Sequence, residues 1–241
     1  MAYFQNFPST LYKFGDENSR TRFQDLSAYA QVVDDVKDVA SAYSKYTILE
    51  GERPDQLSFK LYGSTDYYWT FYMMNDNIRE QGWPLSNTDI VAFAQSELTL
   101  TTLTTRTVLT DKFKIGQTVE GQESGATGTI DHRHLDLGQL LLSGVSGTFT
   151  AGENINSTTD EGIEVIVLES SASEYNSVHH YEDGDGEWTD IDPTVGPGAS
   201  LSAVTHLDRY IRLNNALKEI KVLKRDALLQ VVRAYNEAIA S

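Results

Sequence analysis

Apolar residues recur along the first eighty positions with a spacing that changes at glycines. Phe23, Leu26, Ala30, Val33, Val36, Ala40 and Tyr43 fall near a helical period, with Asp34, Asp35 and Asp38 off the stripe. That pattern predicts an amphipathic helix; the Val32-Val33 pair also suits a short strand. Tyr46 and Ile48 then alternate as in a strand that ends at Gly51, where glycine permits the positive φ of a sharp turn. Pro54 and Asp55 mark a helix start, because proline fits the first helical position and an acid suits the positive helix end. Leu57 and Leu61 share a face, and Gly63 stops the helix. Asp66 opens a second helix containing Trp69, Phe71 and Met73 or Met74. Strand, turn, helix, glycine, helix predicts a small unit with one core.

From Leu98 the texture becomes β-like. The run Leu98 to Leu109 is rich in threonine, whose branched side chain favours strands. Gln139-Leu-Leu-Leu142 and Val165-Ile-Val-Leu168 read as strands, and Ser124 to Gly128 reads as a turn feeding Thr129-Ile130. Phe113-Lys-Ile-Gly116-Gln-Thr-Val119 and Phe149-Thr-Ala-Gly152-Glu-Asn-Ile155 share F-x-x-G-[QE]-x-[VI], which suggests a two-fold repeated β unit. Residues 172–200 are acidic and turn-rich. Glu219 to Leu223 reads as a strand, followed by Asp226 as N-cap of a helix with Leu228, Val232, Tyr235 and Ile239 on one face.

Composition narrows the class. The 241 residues are 40% hydrophobic, enough for one or two small cores. No run of 18 apolar residues marks a membrane span, and no basic stretch precedes an apolar one at the start, so neither membrane insertion nor a signal peptide is expected. Cysteine is absent, which excludes disulfides and thiolate metal sites and fits synthesis in a reducing cytoplasm. The net charge of −16 opposes nucleic-acid binding. It is unevenly spread: from Thr205 onward the chain carries +3, and the rest −19.

The candidate chemistry is sparse. Asp183, Asp185 and Glu187 lie in an acidic run, but Trp188 stands where a calcium loop needs glycine, so a hairpin turn is expected. His132 and His134 would face one side of a strand, and the adjacent His179 and His180 opposite sides. No H-E-x-x-H, nucleophile-elbow or phosphate-loop pattern occurs. No catalytic, cofactor or metal residue is assigned, and an enzyme is not expected.

Tyr46, Ile48, Gly51, Glu52, Leu57, Ser58, Tyr62 and Gly63, with Asn75 beyond, resemble the LysM module. The module's closing strand is not visible, because Gln81-Gly-Trp-Pro84 stands in its place. With its flanks the unit resembles a baseplate wedge protein of T4-like contractile-tailed phages that carries a LysM-like domain. Those flanks are Phe7-Pro8 with Tyr12, Phe23 to Leu26, His179-His-Tyr181, Val204 to Leu207 with Tyr210, and Ile220 to Leu223. The resemblance implies a virion protein of the tail baseplate, made in the host cytoplasm. It would join other wedge proteins and tie neighbouring wedges in a hexagonal baseplate. It implies no cofactor, and glycan binding is not expected; a peptidoglycan- or glycan-binding LysM module is the alternative.

The expected fold class is therefore α+β. An aromatic N-terminal arm and helix (1–44) precede a LysM-like βααβ domain (45–97). An inserted all-β domain (98–171) and an acidic, turn-rich segment ending in a strand and helix (172–241) follow. Phe4, Phe7, Tyr12, Trp69 and Trp83 are the candidate interface anchors, with Arg209 and Arg212 of the basic end.

Overall fold

The computed structural model of the chain describes residues 9–15, 19–24 and 43–240. The helix expected from Leu26 to Tyr43 lies outside these residues, apart from Tyr43 itself.

The chain begins with strands β1 (Ser9–Tyr12), β2 (Thr21–Gln24) and β3 (Tyr43–Thr47). Helices α1 (Pro54–Tyr62), α2 (Trp69–Met74), α3 (Asp76–Gln81) and α4 (Asn87–Glu97) follow. Next come β4 (Thr101–Thr105), β5 (Thr118–Gly121), β6 (Thr127–His134), β7 (Gln139–Ser146), β8 (Asn154–Thr159) and β9 (Gly162–Ser173). The chain then runs through β10 (Val178–Glu182), β11 (Trp188–Thr189), β12 (Ser202–Thr205) and α5 (His206–Ala216) to β13 (Glu219–Leu223) and α6 (Arg225–Ala240). The class is α+β. Two compact units result: one takes the chain up to Ser86 together with Asn214 onward, the other Asn87 to Leu213.

In the first unit β3 pairs antiparallel with β13, Tyr46 opposite Ile220 and Lys45 opposite Lys221. The strand that closes the small sheet thus comes from the far end of the sequence. Ile48, Leu57, Phe71, Met73, Met74 and Ile78 are buried against Leu217, Ile220, Val222, Leu228 and Tyr235. Each such side chain contributes about 1.5–3 kcal/mol by leaving water, so most of this core forms only when residues distant in sequence meet.

Helix α1 begins as its sequence dictates. Pro54 sits in the first turn, and the Arg53 N–H donates to Gln56 Oε1 at 3.3 Å. It ends at Gly63, whose φ of +79° lets its N–H turn back to the Phe59 carbonyl at 2.8 Å. The expected second helix does not open at Asp66. Ser64 accepts the Asp66 N–H and starts a 3-10 turn (Thr65–Tyr67), and the α-helix begins at Trp69. Near the end, Asp226 is not the N-cap: α6 starts at Arg225, and the Lys224 carbonyl takes the Ala227 and Leu228 N–H groups. Phe23, expected to start a helix, lies in strand β2 opposite Thr10.

The second unit holds a closed six-stranded barrel in the order β4-β7-β6-β5-β8-β9. Leu103, Phe113, Val119, Ile130, Leu140, Leu142, Phe149, Ile155, Ile166 and Leu168 fill it. The repeated motif marks two equivalent corners. The Gly116 N–H donates to the Ile130 carbonyl at 2.8 Å, and the Gly152 N–H to the Leu168 carbonyl at 2.7 Å. Ile130 and Leu168 return the bond to the carbonyls of Gln117 and Glu153, both at 2.9 Å. The two glycines have φ of +90° and +91°, a conformation that side chains resist. The strands that follow them, β5 and β8, pair with each other. A second sheet, β11-β10-β12, completes the unit with α5.

Candidate functional site

The signature residues of the first unit tie its turn together. Tyr46 Oη donates to Glu52 at 2.9 Å, Lys60 Nζ reaches Tyr46 Oη at 2.7 Å and Glu52 Oε1 at 3.0 Å, and the Leu49 N–H reaches Glu52 Oε2 at 3.1 Å. Burial pushes the Glu52 carboxyl up, but the Leu49 N–H, Lys60 and Tyr46 together hold it below the ordinary glutamate value. Trp83 closes the turn from the other side, its Nε1–H donating to the Glu52 carbonyl at 2.7 Å.

Beside the end of α2 lies an open cavity of about 440 Å³ lined by Lys45, Asn75, Asp76, Asn77, Glu219 and Lys221. Lysines and carboxylates share its walls. Among the described residues no group of three or more His, Cys, Asp or Glu is placed to hold a metal ion.

The expected interface residues fall into different settings. Phe4 and Phe7 lie outside the described residues. Tyr12 is exposed on the β1–β2 hairpin, where its ring meets Phe14 edge-on at 5.1 Å and Phe14 meets Phe23 at 5.5 Å. The register puts Tyr12 and Phe23 on the same face of the hairpin. Trp69 is buried and lies 4.5 Å from the Tyr235 ring, so it belongs to the chain's own core. Trp83 is partly buried against Phe71 and Tyr72. Arg209 is exposed on α5, and Arg212 pairs with Glu182 of β10.

The histidines differ from expectation. His179 and His180 do not separate to opposite sides. Their Nδ1 atoms lie 2.9 Å apart, because the β10–β12 register shifts between Val178 and His180. His134 and His206 line the same small cavity as His179. Alternation in a regular strand gave no signal of this gathering, since the bulge that causes it is set by pairing with a strand more than twenty residues away.

Residues 16–94 match the family model described as Base plate wedge protein 53. The matched stretch is about a third of the chain and contains β3, α1, α2 and α3. It supports the resemblance to phage baseplate wedge proteins and, with it, a place in the tail baseplate of the virion. No curated protein matches the chain. No helix among the described residues is long and apolar enough to cross a membrane.

Proposed function

We propose that this chain is a structural subunit of a phage baseplate wedge that joins other wedge proteins and links neighbouring wedges during assembly. The match of residues 16–94 to a baseplate wedge family carries the reading. The first unit adds support. Strand β3, helices α1 and α2, and strand β13 occur in the β, α, α, β order that the LysM-like reading calls for, with the closing strand delivered after a long insertion. Its polar groups Tyr46, Glu52, Lys60 and Asn75 are engaged in internal hydrogen bonds. That use suits a scaffold better than a sugar groove.

The docking element is the β1–β2 hairpin. Leu11, Tyr12, Phe14 and Phe23 stand exposed there, and burial of aromatic rings on a partner is a common source of interface energy. The partner is another wedge protein. Removing residues 9–24 should leave the purified chain folded and exclude it from wedges reconstituted in a complementation assay. Normal incorporation of the truncated chain would overturn the reading. Retention of the intact chain on insoluble peptidoglycan, without co-purification with tails, would favour the glycan-binding alternative.

A further inference from the structure

Four of the chain's five histidines meet at one place in the second unit. His179 touches His180 and His206 edge-on, with ring centroids 5.1 and 4.9 Å apart. His180 stacks on Trp188 at 4.4 Å, and His179 meets the same indole at 5.4 Å. A cavity of about 220 Å³ is lined by His134, Asp136, His179, Trp188 and His206, among others. These residues come from β6, the 3-10 turn Leu135–Leu137, β10, β11 and the first position of α5.

The contact between His179 and His180 holds a single proton. His180 Nε2 lies 3.1 Å from Glu182 Oε1, so Nε2 carries the proton and Nδ1 is left as an acceptor. His179 Nδ1–H fills that acceptor at 2.9 Å. Only two N–H groups pointing into this contact at once would clash across 2.9 Å. His206 begins an eleven-residue helix, whose positive dipole end disfavours a cation.

We propose that His134, His179, His180 and His206 form an acid-sensitive latch. While His179 and His206 are neutral it fastens the β10–β11–β12 sheet to the start of α5 and the end of β6; when these two charge, this seam opens. Two carboxylates face the cluster, Asp136 from the 3-10 turn and Glu182 from β10, and Glu182 is also held by Arg212. Arg209 on α5 adds positive charge that opposes further protons. Asp208 is engaged by the Thr205 N–H and hydroxyl at 3.0 and 2.7 Å. Burial, then His179, His134 and Arg209, pull His206 down to about 4 from its ordinary 6.5, and burial with Arg209 and the neighbouring rings lowers His179. A folded-state value below the unfolded one gives stability that is complete above the unfolded value and is lost as pH falls toward the folded one. The seam therefore weakens between about 6.5 and about 4.

Hydrogen exchange on the full chain, corrected for the intrinsic pH dependence, tests this independently of any baseplate role. Between pH 7 and about pH 5, amides of Val178–Glu182 and Ser202–Thr205 should lose protection about tenfold while β6 and β7 of the barrel keep theirs. His206→Phe, which keeps a ring but no charge, should move the transition down by about half a pH unit. His134→Gln serves the same purpose if that variant does not fold. His132→Asn, outside the cluster, should leave it in place. Protection that persists to pH 4, that vanishes only together with the barrel, or that responds identically in both cluster variants and the wild type would overturn the latch.

Discussion

The side-chain amide of Asn75 occupies the backbone of Lys221 as a neighbouring strand would. Its Oδ1 accepts the Lys221 N–H at 2.7 Å, and its Nδ2 donates to the Lys221 carbonyl at 2.8 Å. The remaining Nδ2 proton goes to the Phe71 carbonyl, also at 2.8 Å. One buried residue thus fastens the end of α2 to β13. Asn75→Ala leaves three backbone groups without their partner, and each buried orphan costs about 1–3 kcal/mol. We expect a loss of roughly 3 kcal/mol in urea unfolding followed by the first unit's tryptophans. Asn75→Asp should be nearly as damaging, because a carboxylate cannot donate to either carbonyl. An unchanged urea midpoint in both variants would show that the clamp is not stabilising.

Glu153 plays the comparable part in the barrel. Its buried carboxylate accepts from the N–H groups of Glu123, Ser124 and Thr150 and from the Ser124 hydroxyl, at 2.6–3.1 Å. Burial pushes this acid up, yet the four donors outweigh it and hold it below the ordinary value of 4.5. A depressed carboxyl contributes stability that is complete above the ordinary value and lost as pH falls through the folded one. Glu153→Gln should lower barrel stability by about 2 kcal/mol at pH 7 and flatten its acid dependence below about 4.5. Thermal melts at pH 7 and in acid, compared with the wild type, measure both effects; an equal difference at the two pH values would contradict the second.

The two corners of the barrel should be energetically alike. Phe113 and Phe149 are both buried at the start of the repeated motif. Truncation of either to alanine should cost about 3–5 kcal/mol, since the cavity left behind collapses only in part. Gly116→Ala and Gly152→Ala should each cost about 1–2 kcal/mol, because both need φ near +90°. Denaturant midpoints for the four variants test the equivalence; one corner proving indifferent would show that the repeat is one of sequence alone.

The hairpin predicts the opposite pattern. Tyr12→Ser and Phe23→Ser alter exposed rings, so the melting behaviour should stay within about 0.5 kcal/mol of the wild type. Incorporation into wedges should fall at least tenfold for the pair, the loss expected when two aromatic anchors leave an interface. Sedimentation of reconstituted wedges reads this directly, and full incorporation of the double variant would argue against the hairpin as the contact.

Local signals in the sequence reached as far as local physics decides the structure. Pro54 and Gly63 bound their helix because each acts through its own backbone, and Glu219–Leu223 is the strand its alternation suggested. The repeated F-x-x-G-[QE]-x-[VI] pointed to a two-fold β unit, and the positive-φ glycines at the two barrel corners explain why the pattern recurs. Pairing was another matter. Nothing near Pro84 announced that the partner of β3 would be β13, since strand partnership is a property of two distant segments together. Trp69 looked like an anchor for a partner because a tryptophan's size does not say which surface it will fill; Tyr235 of α6 claims it. The histidine cluster depends on a bulge that no single-strand pattern encodes.

The sheet of the first unit has a consequence for how the chain is made. Thr47 and Glu219, whose side chains meet at 2.7 Å, are 172 positions apart. At ribosomal speeds of about 5–20 residues per second, β3 emerges roughly ten to thirty seconds before the strand that completes it. During that interval Leu57, Phe71 and Ile78 lack the half of their core that Ile220, Val222 and Leu228 provide. The barrel, whose strands are all synthesised in between, is free to mature first. A nascent chain halted at Ser86 should therefore be sticky and protease-sensitive, and one halted beyond Leu213 should already carry a finished barrel while the first unit is still incomplete.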